Sequence, residues 1–224
     1  LDFHKYEATG NDFILIEQDI SPLLVAKLCH RHYGIGADGF IILSNQKLVY
    51  YNQDGSKASL CLNAVRCALT HIGGGSIDTD AGRFRGEKEG VYIPLAKYEK
   101  EVVVCGVLGH LYRAGVPHFI TEGPFDLQKA RAIRFDPILG EEGANVNFYQ
   151  IMADDAWRCR TYERGVEAET LSCGTGASAC FTHMGKNKGT IEFPENNILH
   201  FSNIDGQIFM QGRARLVFSG AIQI

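Results

Sequence analysis

The sequence predicts an α/β (α+β) protein made of two similar domains, and three observations predict it. A cysteine segment occurs twice, as "SLCLNAVRCALTHIGG" at 59–74 and "TLSCGTGASACFTHMG" at 170–185. In each copy the cysteine is followed nine residues later by Thr-His, one apolar residue and a glycine: Cys61…Thr70-His71-Ile72-Gly73 and Cys173…Thr182-His183-Met184-Gly185. Each half also repeats one order of patterns: strands, a short helix, more strands and a cysteine-led helix. A chain of 224 residues accommodates two domains of roughly 100–120 residues. The expected division is 1–106 and 107–211, with a C-terminal strand 212–224 joining the first domain.

The first half opens with "FHKYEATGNDFILIEQ", two apolar stretches around a turn at Gly10-Asn11-Asp12. Ser21-Pro22 has the form of an N-cap followed by proline at the first helical position, leading into a short amphipathic helix closed by Gly34. "GFIILSN" and "KLVYYNQDGS" read as strands joined by a turn, the second ending at Asn52. A loop then enters a helix from Cys61 to about His71, stopped by Gly73-Gly74-Gly75. From 78 to 110 the pattern is short strands, "RFRGEKEGVYIPL" and "KEVVVCGVLG", with glycines between them.

Near 106–110 the pattern restarts. "HLYRAGVPHFIT" reads as strand text with a Gly-Val-Pro-His turn, "DLQKARAIRFD" as a short helix and "NVNFYQIMADD" as a strand. "WRCRTYERGVEAETLS" is a strand and loop entering the second cysteine helix, 173 to about 185. Hairpins follow, with Asp205-Gly206 as the turn signal between "LHFSNI" and "QIFMQG", and "RARLVFSGAIQI" closes the chain.

A net charge of −4 with dispersed basic residues lacks the basic footprint of a nucleic-acid binder, so a small ligand is the expected partner. With 45% hydrophobic and 21% charged residues and no long apolar run, no membrane span is expected. "LDFHKYEATGNDF" lacks the pattern of a secretory signal, which makes the cytoplasm the expected compartment. Seven cysteines without a C-x-x-C spacing predict reduced thiols and no metal site.

Cysteine inside a helix is usually a small buried hydrophobe, the reading taken for Cys67 and Cys180. Cys61 and Cys173 differ because each stands where its helix begins. Unpaired N–H groups and the positive end of the dipole favour an anion there, and a thiol so placed is expected to ionise below its usual value of about 8.5. The same N–H groups can hold a carboxylate, and the Gly174-Thr175-Gly176 run lets a ligand approach the backbone. Two such helix ends facing one carbon from opposite sides form a two-base racemase or epimerase: one sulfur removes a proton, the other delivers one, and the pair titrates as a unit. N–H donors aimed at the developing carbanion's carboxylate supply the stabilisation, and no cofactor is required.

The motifs around these cysteines resemble a known family. "NQDGSKASLCLNAVRC" and "YERGVEAETLSCGTGA" are similar to the two cysteine signatures of the diaminopimelate epimerases. "KYEATGNDFILIE", "RHYGIGADGFIIL", "GVPH" and "NVNF" match further landmarks in family order. The resemblance implies two domains, each a mostly antiparallel sheet or barrel wrapped around a central helix, related by a pseudo-twofold axis with the active site in the cleft between them. It implies interconversion of LL- and meso-diaminopimelate without a cofactor, in lysine and peptidoglycan-precursor synthesis, and it admits a homodimer. Carried over by position, Cys61 and Cys173 are the acid/base pair, and the backbone at Leu62-Asn63 and Gly174-Thr175 binds the carboxylate at the reacting carbon. Asn11 lines the same pocket, while Asn52, Asn145, Glu163 and Arg164 hold the distal amino-acid end, arginine as a forked donor and glutamate as an ammonium acceptor.

The chain departs from the family pattern at Leu62, where glycine is usual, at Gly39 and Val116, where some members have glutamine and asparagine, and at "QGRA" 211–214. It is also shorter than expected of the family, with the deficit between 73 and 145. These departures keep other readings open. A relaxed pocket could take glutamate. A proline-type racemase shares the two-thiol logic but has no use for Asn145, Glu163 and Arg164, and a thiol redox protein would use the pair differently. A binding paralogue without catalysis is the third reading, and Leu62 is its best support.

Overall fold

Strand β1 (Asp2–Ala8) turns back into β2 (Asn11–Ile16) through Thr9-Gly10, both with positive φ, the two-residue turn whose twist matches antiparallel strands. The turn sits earlier than the expected Gly10-Asn11-Asp12, so Asn11 and Asp12 already belong to β2. The computed structural model describes residues 1–223; residue 224, the last of the expected strand 212–224, lies outside them.

Two compact units result, one of Leu1–Tyr92 with Gln211–Ile224, the other of Ile93–Met210. The first holds α1 (Pro22–Cys29), β3 (Gly39–Ser44), β4 (Lys47–Asn52), β5 (Lys57–Ala58), α2 (Leu62–Ile72), β6 (Gly75–Thr79), β7 (Gly82–Glu87) and β8 (Gly90–Pro94), with β18 (Ala214–Ala221) paired antiparallel to β1. The second begins with β9 (Lys97–Val104), β10 (Val107–Ala114), β11 (Val116–Glu122) and α3 (Leu127–Arg134). It continues with β12 (Asn145–Ala153), β13 (Ala156–Glu163), β14 (Ala168–Thr170), α4 (Gly174–Met184), β15 (Lys188–Phe193), β16 (Asn197–Ile204) and β17 (Gln207–Gln211). Within each unit the pairing senses recur in one order. β1–β2, β3–β4, β4–β5 and β6–β7 are antiparallel, with β2–β3 and β4–β6 parallel. β10–β11, β12–β13, β13–β14 and β15–β16 are antiparallel, with β11–β12 and β13–β15 parallel. The fold is α+β, with a mostly antiparallel sheet.

Two boundaries differ from the sequence reading. "KEVVVCGVLG" is the middle of a hairpin, because Cys105 and Gly106 both take positive φ and turn β9 onto β10. The break between units therefore falls at Tyr92 and Ile93 rather than at 106 and 107. Helix α1 starts as expected, with Ser21 Oγ accepting from Leu24 N at 3.3 Å, but it ends at Cys29 because His30 has extended backbone. Gly34 serves a close approach instead: a β-carbon there would strike the carbonyls of Lys27 and Leu28.

Each cysteine-led helix is the buried centre of its unit. Residues 62–69 of α2 are all buried, and α2 packs on β1, β6, β7 and β18; α4 packs on β10, β11, β12, β13 and β15. Both helices stop at a left-handed glycine, Gly73 with φ 79° and Gly185 with φ 63°. The repeated Thr-His pins this end. Tyr6 Oη lies 3.0 Å from His71 Nδ1 and Tyr112 Oη 3.2 Å from His183 Nδ1, while the Thr70 and Thr182 hydroxyls accept from Glu89 N and Ala96 N. Among the described residues, no helix is long and apolar enough to cross a membrane.

Candidate active site

In the first unit Cys61 is the N-cap of α2, with φ −139° and ψ 111°, and Leu62 and Asn63 form the first turn. The cap position sets the cysteine beside the first N–H groups of the helix, the end that favours an anion. Leu62 is buried. Asn63 Nδ2 donates to Asn11 Oδ1 at 2.6 Å, so β2 and the helix start are joined side chain to side chain. Asn52 ends β4 opposite Gly39 and donates to Ser56 Oγ at 3.0 Å within its own turn. The unit thus brings Cys61, Leu62, Asn63 and Asn11 together, and places Asn52 at a neighbouring strand end.

Arg66, one turn further along α2, was not assigned a role from sequence. It is fully buried and donates to the carbonyls of Gly212 and Arg213, to Thr9 Oγ1 and to Asn63 Oδ1. Burial pushes its guanidinium down to about 10, opposed by attraction to the sulfurs of Cys67 and Cys61, so it is a cation at neutral pH. The one charge in the otherwise uncharged, mostly apolar run "LNAVRCAL" was the available signal.

In the second unit Cys173 is the N-cap of α4, and its Sγ accepts from Gly176 N at 3.4 Å with Thr175 Oγ1 at 3.5 Å. The expectation of a lowered thiol pKa is corrected here. Burial pushes the Cys173 thiol up, Glu163's charge pushes it further, and the contacts with Thr175 and Gly176 only partly oppose them. Desolvation outweighs the helix end because a thiolate loses its water whereas the thiol loses little.

Asn145, Glu163 and Arg164 also meet in this unit. Asn145 Oδ1 accepts from Arg164 N at 2.7 Å, Glu163 Oε2 accepts from Thr170 Oγ1 at 2.8 Å, and the Arg164 guanidinium lies 3.6 Å from Glu142. Beside them are two residues to which sequence reasoning gave no role. Asn147 shares a strand face with Asn145, the period-two signal that could have found it. Its Nδ2 faces the carbonyls of Phe119 and Asn145, each at 3.3 Å, and its Oδ1 accepts from Thr161 Oγ1 at 2.9 Å. The nitrogen end therefore meets His118 Nδ1 at 3.2 Å, which makes Nδ1 an acceptor and places the imidazole proton on Nε2. That Nε2 is buried without a partner, and burial, with Arg164's charge, pushes His118 down to about 3. The unit thus offers a buried thiol, a neutral imidazole N–H and helix-end backbone N–H groups.

No protein-family model matches the chain. Whole-chain comparison finds a diaminopimelate epimerase of Aquifex aeolicus, 34% identical, covering 99% of this chain and 98% of the relative. The enzyme of that name from Flavobacterium psychrophilum is 32% identical over 98% of this chain and 99% of its own, and that of Campylobacter jejuni is 34% identical over 96% of each. The first alignment runs over 274 positions against the 224 residues here, so that relative carries insertions. Among solved structures, a PhzF-family phenazine biosynthesis protein from Bacillus anthracis superposes with TM-score 0.74 at 11% identity, covering 100% of this chain and 99% of its own. A probable proline racemase from Agrobacterium radiobacter superposes with TM-score 0.71 at 12% identity, covering 100% and 93%. These two share the fold. The near-complete coverage at 32–34% identity carries more than the fold: the chain belongs to the diaminopimelate epimerase family.

Proposed function

We propose that this protein is a cofactor-independent diaminopimelate epimerase, interconverting the LL and meso isomers in lysine and peptidoglycan-precursor synthesis, with Cys61 and Cys173 as its two acid/base groups. The observation that carries the reading is the N-cap position of a cysteine on both repeated helices. In this mechanism one sulfur, as thiolate, takes the α-proton, and the other, as thiol, returns a proton to the opposite face. The two sulfurs exchange protonation states, so protons balance over the turnover. Burial favours the protonated form of Cys173, which suits it to be the donor in the resting enzyme, leaving the partly exposed Cys61 as the base. Backbone N–H groups at Leu62-Asn63 and Gly174-Thr175 receive the carboxylate whose negative charge grows as the carbanion forms. Asn11 lines the reacting end, and Asn52, Asn145, Glu163 and Arg164 take the distal ammonium and carboxylate.

The same reading places the enzyme in the cytoplasm, since all seven cysteines are thiols and two of them must stay so. Its expected assembly is a homodimer covering β18, where Leu216, Val217 and Phe218 are about half exposed.

The deciding experiment is α-proton exchange in deuterated water with the reduced protein, LL-diaminopimelate and, in parallel, L-glutamate, read by NMR and chiral chromatography. The expected result is deuterium at one α-carbon together with the meso isomer. Exchange in glutamate as well would mark the Leu62 pocket as permissive. No exchange in either, with both thiols titrated as reduced, would replace the epimerase with a binding paralogue.

A further inference from the structure

We propose that Arg66 and Asp38 are positioning residues which, from opposite ends of one hydrogen-bonded chain, fix the direction in which the Asn63 and Asn11 amides face. The proposal rests on the reading that Asn11 lines the reacting end of the site and that the backbone at Asn63 receives the carboxylate there. The chain runs from Arg66 Nη2 to Asn63 Oδ1 at 2.7 Å, from Asn63 Nδ2 to Asn11 Oδ1 at 2.6 Å, and from Asn11 Nδ2 to Asp38 Oδ2 at 3.3 Å. An amide's oxygen and nitrogen are nearly the same size, so packing alone does not distinguish the two orientations. The ends of the chain do. A guanidinium can only donate and a carboxylate can only accept. Turning Asn63 over would set its NH2 against the guanidinium and its oxygen against Asn11 Oδ1. Turning both amides over would repair the middle contact and break both ends.

Each end is itself held. Asp38 accepts from Asp12 N at 3.2 Å and from Arg31 Nη2 at 2.6 Å, so its carboxylate keeps its place without Asn11. Arg66 is anchored by the Gly212 and Arg213 carbonyls and Thr9 Oγ1, acceptors that are all neutral. A fully buried cation without a carboxylate in its hydrogen-bond set is an expensive arrangement for packing alone. As a fixed donor at the head of two amides it has a use: both amides are oriented before substrate arrives, and no reorganisation is left for the reaction.

The test uses Asp38, whose side chain is 37% exposed, so that its variants are expected to fold. Asp38→Ala removes the terminal acceptor, and Asp38→Asn keeps an oxygen for Asn11. We expect Asp38→Ala to lower kcat/KM for diaminopimelate at least tenfold and to shift the side-chain amide resonances of Asn63, two links away. Those resonances are assigned by their loss in Asn63→Asp. Asp38→Asn should stay within threefold of the parent and restore the resonances. Parental kcat/KM and unmoved Asn63 signals in Asp38→Ala overturn the proposal. So does an Asp38→Asn variant as impaired as the alanine one, because the charge paired with Arg31 would then be what matters. Asn11→Ala separates the two levels: a hundredfold loss there alongside an unaffected Asp38→Ala sinks only the chain, whereas parental activity in Asn11→Ala sinks the site reading. Should thermal melting show Asp38→Ala unfolded, Asp38→Ser is read the same way.

Discussion

Asn147 Oδ1 occupies the space that a β-carbon on Gly176 would need, and Cys173 Sγ lies 3.3 Å from where that β-carbon would sit. The Asn147 side chain is fully buried and fixed by Thr161 Oγ1 and two carbonyls, so it has nowhere to move. Gly176 is therefore what allows the start of α4 to approach β12, and with it the sulfur and the His118 partner.

Gly176→Ala should displace the helix start rather than Asn147. Overpacking of this kind costs about 1–3 kcal/mol, and a shift of roughly 1 Å at a reacting group costs about a hundredfold in rate. Denaturant melts and epimerisation rates on the same preparation check both. A variant with parental rate would show that α4 can approach β12 by another route.

The four cysteines of the two repeated helices should divide cleanly. Cys61→Ala or Cys173→Ala should cost about a thousandfold or more in inversion, as loss of an acid/base group does. Cys67→Ala and Cys180→Ala should keep most of the rate and lose about 1 kcal/mol of stability. Both are buried, and Cys180 Sγ lies 3.6 Å from Cys159 Sγ inside the second unit. Equal damage from Cys180→Ala would place the site elsewhere on α4.

His118 should make the protein acid-sensitive. Burial holds its folded-state value at about 3, below the unfolded value of about 6.5. The unfolded chain thus binds a proton that the folded chain refuses, and stability falls as pH drops from about 6.5 toward 3, by at most about 1.4 kcal/mol per unit. Chemical denaturation of the parent and His118→Gln between pH 7 and 4 should show the flatter profile in the variant. Parallel profiles would mean that His118 is solvated or paired in solution.

Much of this was legible because it is local. An N-cap cysteine, a run of helix formers and a glycine that accepts left-handed backbone act within a single turn, so both cysteine helices, Cys61 to Gly73 and Cys173 to Gly185, could be bounded from text. The same holds for the Ser21-Pro22 start of α1. The Cys105-Gly106 turn was missed because "KEVVVCGVLG" is apolar on both sides of it, and only the positive φ of a cysteine betrays the bend.

By itself the sequence determined the duplicated α+β architecture, the two cysteines that begin its helices, and the family to which their motifs belong. The tertiary structure decided the chemistry of those positions. It buried Cys173 and so reversed the expected direction of its pKa. It brought the carbonyl of Gly212 to Arg66 across 146 positions, and it joined Asn11 to Asn63 across 52. The reason is that capping and turn formation depend on atoms a few bonds apart, whereas desolvation and hydrogen-bond direction depend on whatever distant parts of the chain fold into contact.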